Sequence, residues 1–142
     1  MHSNASDGQL PPEALPELCA QNGVKLMSLT DHDTMAGTKA AEAAAKRLGI
    51  AFIPGIEFSP LWGGTGIHVV GLGLDSESPG IAGFVAGTQM KRVERGRAMD
   101  ENFARVGIHG ALEGALRYAE NSTSLSRTHF ALWLLEKGHV KN

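Results

Sequence analysis

Cysteine is almost missing from this 142-residue chain, where Cys19 stands alone. A single thiol excludes an intrachain disulfide framework and fits a reducing compartment. Neither sign of charge dominates. The formal net charge of −2 gives no global signal for nucleic acid or a membrane surface as partner. No apolar run approaches the ~18 residues of a membrane span, and the N-terminus has no signal-peptide core. The expectation is a cytoplasmic protein with no membrane partner. Internal repeats and low-complexity linkers are also missing. What remains is ordinary for a globular domain: 42% apolar and 20% charged residues. The length makes one domain or a piece of a larger one, enough to bury about two-thirds of its unfolded surface. Glycine is plentiful at 18 residues, which suggests tight turns and close backbone approaches.

Residues 1–8 read as a loop, and Leu15, Leu18 and Cys19 share one face of a helix closed by Asn22-Gly23. Val24 to Leu29 reads as a buried strand. Thr34 is expected to cap an alanine-rich helix that runs to Arg47-Leu48 and stops at Gly49. Ile50 to Pro54 is a second short strand, continued with alternation through Gly55-Ile56-Glu57-Phe58-Ser59. Trp62-Gly63-Gly64-Thr65-Gly66 has turn chemistry, and Ile67 to Leu74 is the partner strand. Glu57 and His68 should therefore lie on adjacent strands near a common end. After Asp75 the texture changes to helices. Ile81 to Val106 reads as one long helix with Phe84, Val85, Thr88, Met90, Val93, Met99, Phe103 and Val106 inward. Its middle is basic, with Lys91, Arg92, Arg95 and Arg97. A short helix from Ala111 to Ala119 and a last one from Thr128 to Lys137 follow.

Leu29-Thr30-Asp31-His32-Asp33-Thr34 lies where a strand ends and a helix begins, the edge at which α/β folds build sites. Two acids flanking one imidazole are costly to hold unless something positive sits among them, and a divalent metal would serve. The competing reading is a turn in which Asp33 or Thr34 caps the next helix and His32 is merely exposed. His2, Asp7, Asp31, His32, Glu57 and His68 are the potential ligands on loops and strand ends. A mixed imidazole–carboxylate set suits Zn, Mn or Fe. Two ions ~3.5–4 Å apart, bridged by a strand-borne glutamate such as Glu57, would clamp a phosphate and generate hydroxide at neutral pH. Taken singly, Glu57 is more often a solvated residue and His68 a hydrogen-bonded strand residue; their placement at successive strand ends favours the joint reading.

Four ordered motifs resemble those of the PHP (polymerase and histidinol phosphatase) superfamily. They are His2-Ser3-Asn4-Ala5-Ser6-Asp7-Gly8, Leu29 to Thr34, Pro54-Gly55-Ile56-Glu57-Phe58-Ser59 and Ile67-His68-Val69-Val70-Gly71-Leu72-Gly73. Within it the chain is most similar to the bacterial stand-alone metal-dependent phosphoesterases, which include nucleoside 3′,5′-bisphosphate phosphatases and exonucleases acting on short RNA 5′ ends. The likeness extends over Ser126-Arg127-Thr128-His129-Phe130-Ala131 and Glu136 to Val140. It implies an α/β fold: part of a distorted (β/α)7 PHP barrel, with βα units over 1–76 and a helical insertion over 77–142. It implies that His2, Asp7, His32, Glu57 and His68 hold divalent metal ions, most simply Mn2+, with Mg2+, Zn2+ or Fe2+ as alternatives, and that Glu57 bridges. It implies that Arg92, Arg95, Arg127 and His129 face substrate phosphates. For Arg92 and Arg95 a solvated helix face is the plain alternative.

The family opens on a strand ending in a His-x-His pair and adds a later histidine and an Asp-x-His motif. This chain begins at Met1-His2, and neither His109 nor His139 matches those later ligands. The resemblance thus implies a chain trimmed at both ends. Such a chain should expose barrel edges, self-associate through them, and show little activity alone. The leading expectation is a phosphoesterase using metal-activated hydroxide on a nucleotide or short RNA. A non-catalytic module with an incomplete metal site is the alternative from another class. A small-molecule phosphatase such as histidinol phosphatase is the third, disfavoured by the basic helix, which suits a polyanion.

Overall fold

The structure, a computed structural model, describes residues 1–141. It is an α/β chain of eleven elements in the order α1, β1, α2, β2 to β6, α3, α4, α5. It falls into two compact units, Met1–Ala86 and the residues from Gly87 onward. The division lies inside α3 (Pro79–Arg105), ten residues beyond the expected change of texture at 76/77.

In the first unit, α1 (Leu15–Gln21) carries Pro16 in its first turn, where the missing N–H costs nothing. Leu15 and Cys19 are buried, but Leu18 is exposed, contrary to expectation, because α1 is only two turns long and packs along a narrower stripe. β1 (Leu26–Met27) pairs in parallel with β2 (Ala51–Phe52). α2 (Thr38–Arg47) joins them, and Ala41 and Ala45 bring it against Leu15, Cys19, Met27, Leu29 and Ile50. Thr34 does not cap α2. The helix starts later, after Gly37, and the Thr34 hydroxyl accepts the Ala36 N–H at 3.2 Å instead.

The register explains how the strands reach the site. Leu26 faces Ala51, Met27 faces Phe52, and His32 faces Glu57, an offset of 25 residues throughout. The segments 26–32 and 51–57 are therefore one parallel pairing. Pro54, which has no N–H to donate, lies between β2 and β3 (Gly55–Phe58). β3 pairs antiparallel with β6 (Val69–Leu72), Phe58 facing Val69. β4 (Leu61–Trp62) and β5 (Thr65–Gly66) continue the same register around Gly63-Gly64. Both glycines have positive φ, 56° and 82°, as a two-residue hairpin loop demands. That register sets Ser59 opposite His68. Glu57, Ser59 and His68 then share one face of the hairpin, since alternate residues point the same way.

In the second unit, α4 (Ala111–Leu116) and α5 (Arg127–Glu136) pack around Ala111, Ala115, Leu125, Phe130, Trp133 and Leu134. Phe103 stacks on Phe130 with ring centroids 5.9 Å apart. The buried stripe of α3 is Thr88, Arg92 and Gly96. Met90, Phe84 and Val106, expected inward, are exposed. The inner face of α3 is set by close approach at Gly96, where a Cβ would strike the Leu125 side chain within about 2.5 Å, rather than by hydropathy. Val106 lies past the last helical residue. Among the described residues no helix is long and apolar enough to cross a membrane.

Candidate metal centre

Four segments of the first unit bring their chemistry to one rim. The 1–8 segment folds into a tight turn, Ser6 and Gly8 N–H both donating to the Ser3 carbonyl. A Cβ on Gly8 would collide with the His2 carbonyl, so this turn closes only with glycine there. The turn aims His2 and Asp7 the same way: His2 Nδ1 lies 2.9 Å from Asp7 Oδ1. The end of the β1 segment supplies His32, and β3 supplies Glu57 directly across from it. His68, one residue before β6, comes in from the far side of the hairpin.

Glu57 is the centre of this arrangement. Its Oε2 is 2.9 Å from His2 Nε2, and its Oε1 is 2.9 Å from His68 Nδ1 and 3.7 Å from His32 Nδ1. His32 Nε2 is 3.8 Å from Asp7 Oδ2. The His32 ring meets those of His2 and His68 edge-on, with centroids 4.5 and 5.0 Å away. Ligand atoms of His2, His32 and Glu57 all lie within 4.8 Å of one another. The hydrogen bond to Asp7 raises His2 above its ordinary value of 6.5. Partial burial opposes this, and the charges of Asp7 and Glu57 add to it. Two carboxylates thus favour positive charge at this place, and a divalent ion suits it. All five residues expected to act as ligands meet here. Their donor set of three imidazoles and two carboxylates fits Mn, Zn or Fe chemistry.

Asp31 and Asp33, which flank His32 in sequence, do not join the cluster through a cation. Asp31 is 1% exposed and accepts three hydrogen bonds of 2.6 Å from Ser3 N–H, Ser3 Oγ and Ser6 Oγ. Asp33, fully buried, accepts the Ser59 N–H at 2.8 Å. It has φ 52°, a left-handed conformation that Asp tolerates better than most residues. Ser3, Ser6 and Ser59 were missed by sequence reasoning; the cue for the first two was a serine directly beside His2 and beside Asp7.

The four residues assigned to phosphate lie in the second unit. Arg127 is exposed at the first position of α5, and Arg95 is exposed on α3. Arg92 is buried and donates from a guanidinium N–H to the Leu125 carbonyl at 3.3 Å. His129 is buried and accepts the Ser126 N–H at 3.1 Å, which closes the N-terminus of α5.

Strand ends that gather imidazoles and a carboxylate within 4.8 Å of one another define the class: an α/β protein with a candidate metal site at one rim. The chain belongs to the PHP domain family, whose model matches residues 1–127. It is 41% identical over 141 residues to a 3′,5′-nucleoside bisphosphate phosphatase of Chromobacterium violaceum, covering 99% of this chain and 50% of that protein. It is 42% identical over 139 residues to the 5′-3′ exoribonuclease Rnm of Salmonella typhimurium, covering 96% and 47%. A solved amidohydrolase structure from Chromobacterium violaceum, with bound sulfate and no metal, superimposes with a TM-score of 0.95 at 41% identity, covering 99% of this chain and 50% of that one. The chain spans about half the length of the curated relatives it matches.

Proposed function

We propose that this chain carries the metal-binding rim of a metal-dependent phosphoesterase that hydrolyses phosphate mono- or diesters of nucleotides, either nucleoside 3′,5′-bisphosphates or short RNA 5′ ends. The observation that carries this is the convergence of His2, Asp7, His32, Glu57 and His68 at one rim. These five would hold divalent ions, Mn2+ being the best match to a mixed imidazole–carboxylate set. Glu57 would be the shared ligand, a role supported by its two oxygens facing different histidines. A bound divalent ion supplies Lewis acidity and a water that ionises near neutral pH. The protein's part is to aim the ligands, each imidazole in its neutral form offering one nitrogen, and to hold the substrate. Arg95 and Arg127, both exposed, suit the phosphate that is not cleaved, since a guanidinium offers a two-pronged donor. Arg92 and His129 would brace the segments that carry them. The same reading takes the chain as part of a distorted (β/α)7 barrel with a helical insertion. A nucleotide substrate and one buried thiol favour a cytoplasmic setting. The exposed Val69, Val70 and Leu72 of β6 make this strand the surface through which copies would associate.

The test is release of inorganic phosphate from a nucleoside 3′,5′-bisphosphate across a Mn2+ titration. We expect two or more ions per chain and slow turnover, in keeping with the little activity expected of this chain alone, and a clear loss of metal affinity in Glu57→Gln, which removes a ligand oxygen. Absence of turnover in protein that holds zero or one ion would overturn the phosphoesterase reading in favour of a non-catalytic module.

A further inference from the structure

The ligand set is assembled from four stretches of the sequence, and one residue ties three of them together, those of His2 and Asp7, of His32 and of Glu57. Asp31 precedes His32 directly. Its carbonyl accepts the Glu57 N–H at 3.1 Å, which fixes the β3 segment. Its carboxylate takes the three short hydrogen bonds from Ser3 and Ser6, the residues that adjoin His2 and Asp7. Ser3 and Ser6 are themselves almost fully buried, so water does not compete for these bonds. The Ser3 hydroxyl also accepts the Ala5 N–H at 3.2 Å, which extends the grip across the turn.

We propose that Asp31 is a positioning residue, a buried carboxylate clamp that sets His2 and Asp7 at ligand distance from Glu57 and His32. The clamp rests on the reading of this rim as a metal centre, and it adds the reason the rim is already assembled. Apart from Asp31, the 1–8 segment has its own turn bonds, the Asn4 N–H bond to the Leu10 carbonyl, the pairing of Met1 with Thr30, whose N–H donates to the Met1 carbonyl at 2.9 Å, and the contact of the His2 ring with Glu57 at 2.9 Å. The backbone bonds hold the ends of the segment, and the His2–Glu57 contact joins ligand to ligand; the bonds to Asp31 are the ones that fix the backbone between His2 and Asp7 to the His32 strand. The Asp31 carboxylate has acceptors alone, and each of its oxygens meets a donor. An asparagine would turn an NH2 group towards either Ser3 Oγ or the Ser3 N–H. Burial removes the chance of repair by water, so the mismatch falls on the turn.

The experiment has two readouts on the whole chain. Hydrogen exchange is followed by mass spectrometry in metal-free protein, and Mn2+ affinity is followed by calorimetry. In Asp31→Asn we expect faster exchange confined to residues 1–10, with α2 protection unchanged, and Mn2+ affinity weakened about 10–100-fold, the range for a residue that orients a ligand. The pair Ser3→Ala with Ser6→Ala should reproduce both effects, and adding Asp31→Asn to that pair should change little more, because the three act as one unit. Unchanged exchange over residues 1–10, or a loss of protection spread equally through α1 and α2, would overturn the clamp. Should wild-type protein bind no Mn2+ while Asp31→Asn still frees residues 1–10, the clamp stands and the metal-centre reading falls.

Discussion

Gly8 and His2 decide how the turn at the rim behaves, and each gives a measurable consequence. A methyl at Gly8 meets the backbone of His2 and Ser3, which cannot move without opening the turn. Gly8→Ala should therefore destabilise by about 1–3 kcal/mol, the usual cost of forcing a methyl into filled space, read as a lowered Tm in metal-free protein. His2 is held above its ordinary 6.5, first by its hydrogen bond to Asp7. A raised value means that the charged form is favoured in the folded state. Its contribution to stability is full below about 6.5 and is lost as pH rises through the raised value. Asp7→Asn should return the His2 imidazole shifts in an NMR titration towards the ordinary value, and should flatten the fall in metal-free stability on the alkaline side. At this scale the gathering of His2, Asp7, His32, Glu57 and His68 was legible, because imidazoles and carboxylates stand out on loops and strand ends. The role of Asp31 was not. A buried acid held by serines and an acid on a metal read alike in a sequence, and only the direction of the side chain separates them.

Among the elements, the β3–β6 hairpin was legible from alternation and from the glycines between its arms, and it brought Glu57 and His68 together as expected. Strand lengths were less legible. β1 and β2 are short because Pro54, which has no N–H for the ladder, interrupts the pairing, although the register runs on to His32 and Glu57. The inner face of α3 escaped hydropathy because Gly96, without a side chain, makes the closest approach. Gly114 plays a like part in α4, where a Cβ would collide with the Trp133 indole. Alanine is worth up to about 1 kcal/mol more than glycine in a helix, but a displaced indole costs more. Gly114→Ala should lower stability by about 1–2 kcal/mol net by denaturant titration. Between the end of α4 and α5, the Tyr118 hydroxyl donates to Glu136 at 2.6 Å. That bond, then the charges of Arg117 and Lys137, hold Glu136 below its ordinary carboxylate range. A lowered value favours the ionised form, so its contribution is present above the ordinary value and fades as pH falls through the lowered one. Tyr118→Phe should move the Glu136 side-chain carbon titration upward in pH, with little change in overall stability because both groups are exposed.

At the scale of the whole molecule, the exposed valines and leucine of β6 are the feature with the broadest effect. A strand edge with apolar side chains invites another strand. Sedimentation velocity should show concentration-dependent association, and Val70→Lys with Leu72→Lys should reduce it. Sequence reasoning placed the change of texture near 76/77, whereas the compact units divide within α3 at 86/87. Helical periodicity runs through that point without a break, so local pattern could not mark where packing changes. The placement of the two tryptophans has a practical consequence. Trp62, 78% exposed on the hairpin, belongs to the first unit, and Trp133, buried among helices, belongs to the second. Each unit thus carries its own fluorophore, one bathed in water and one shielded. Emission excited in Trp62→Phe comes from the helical unit alone, so its colour and its quenching by iodide follow the melting of that unit separately from the rim.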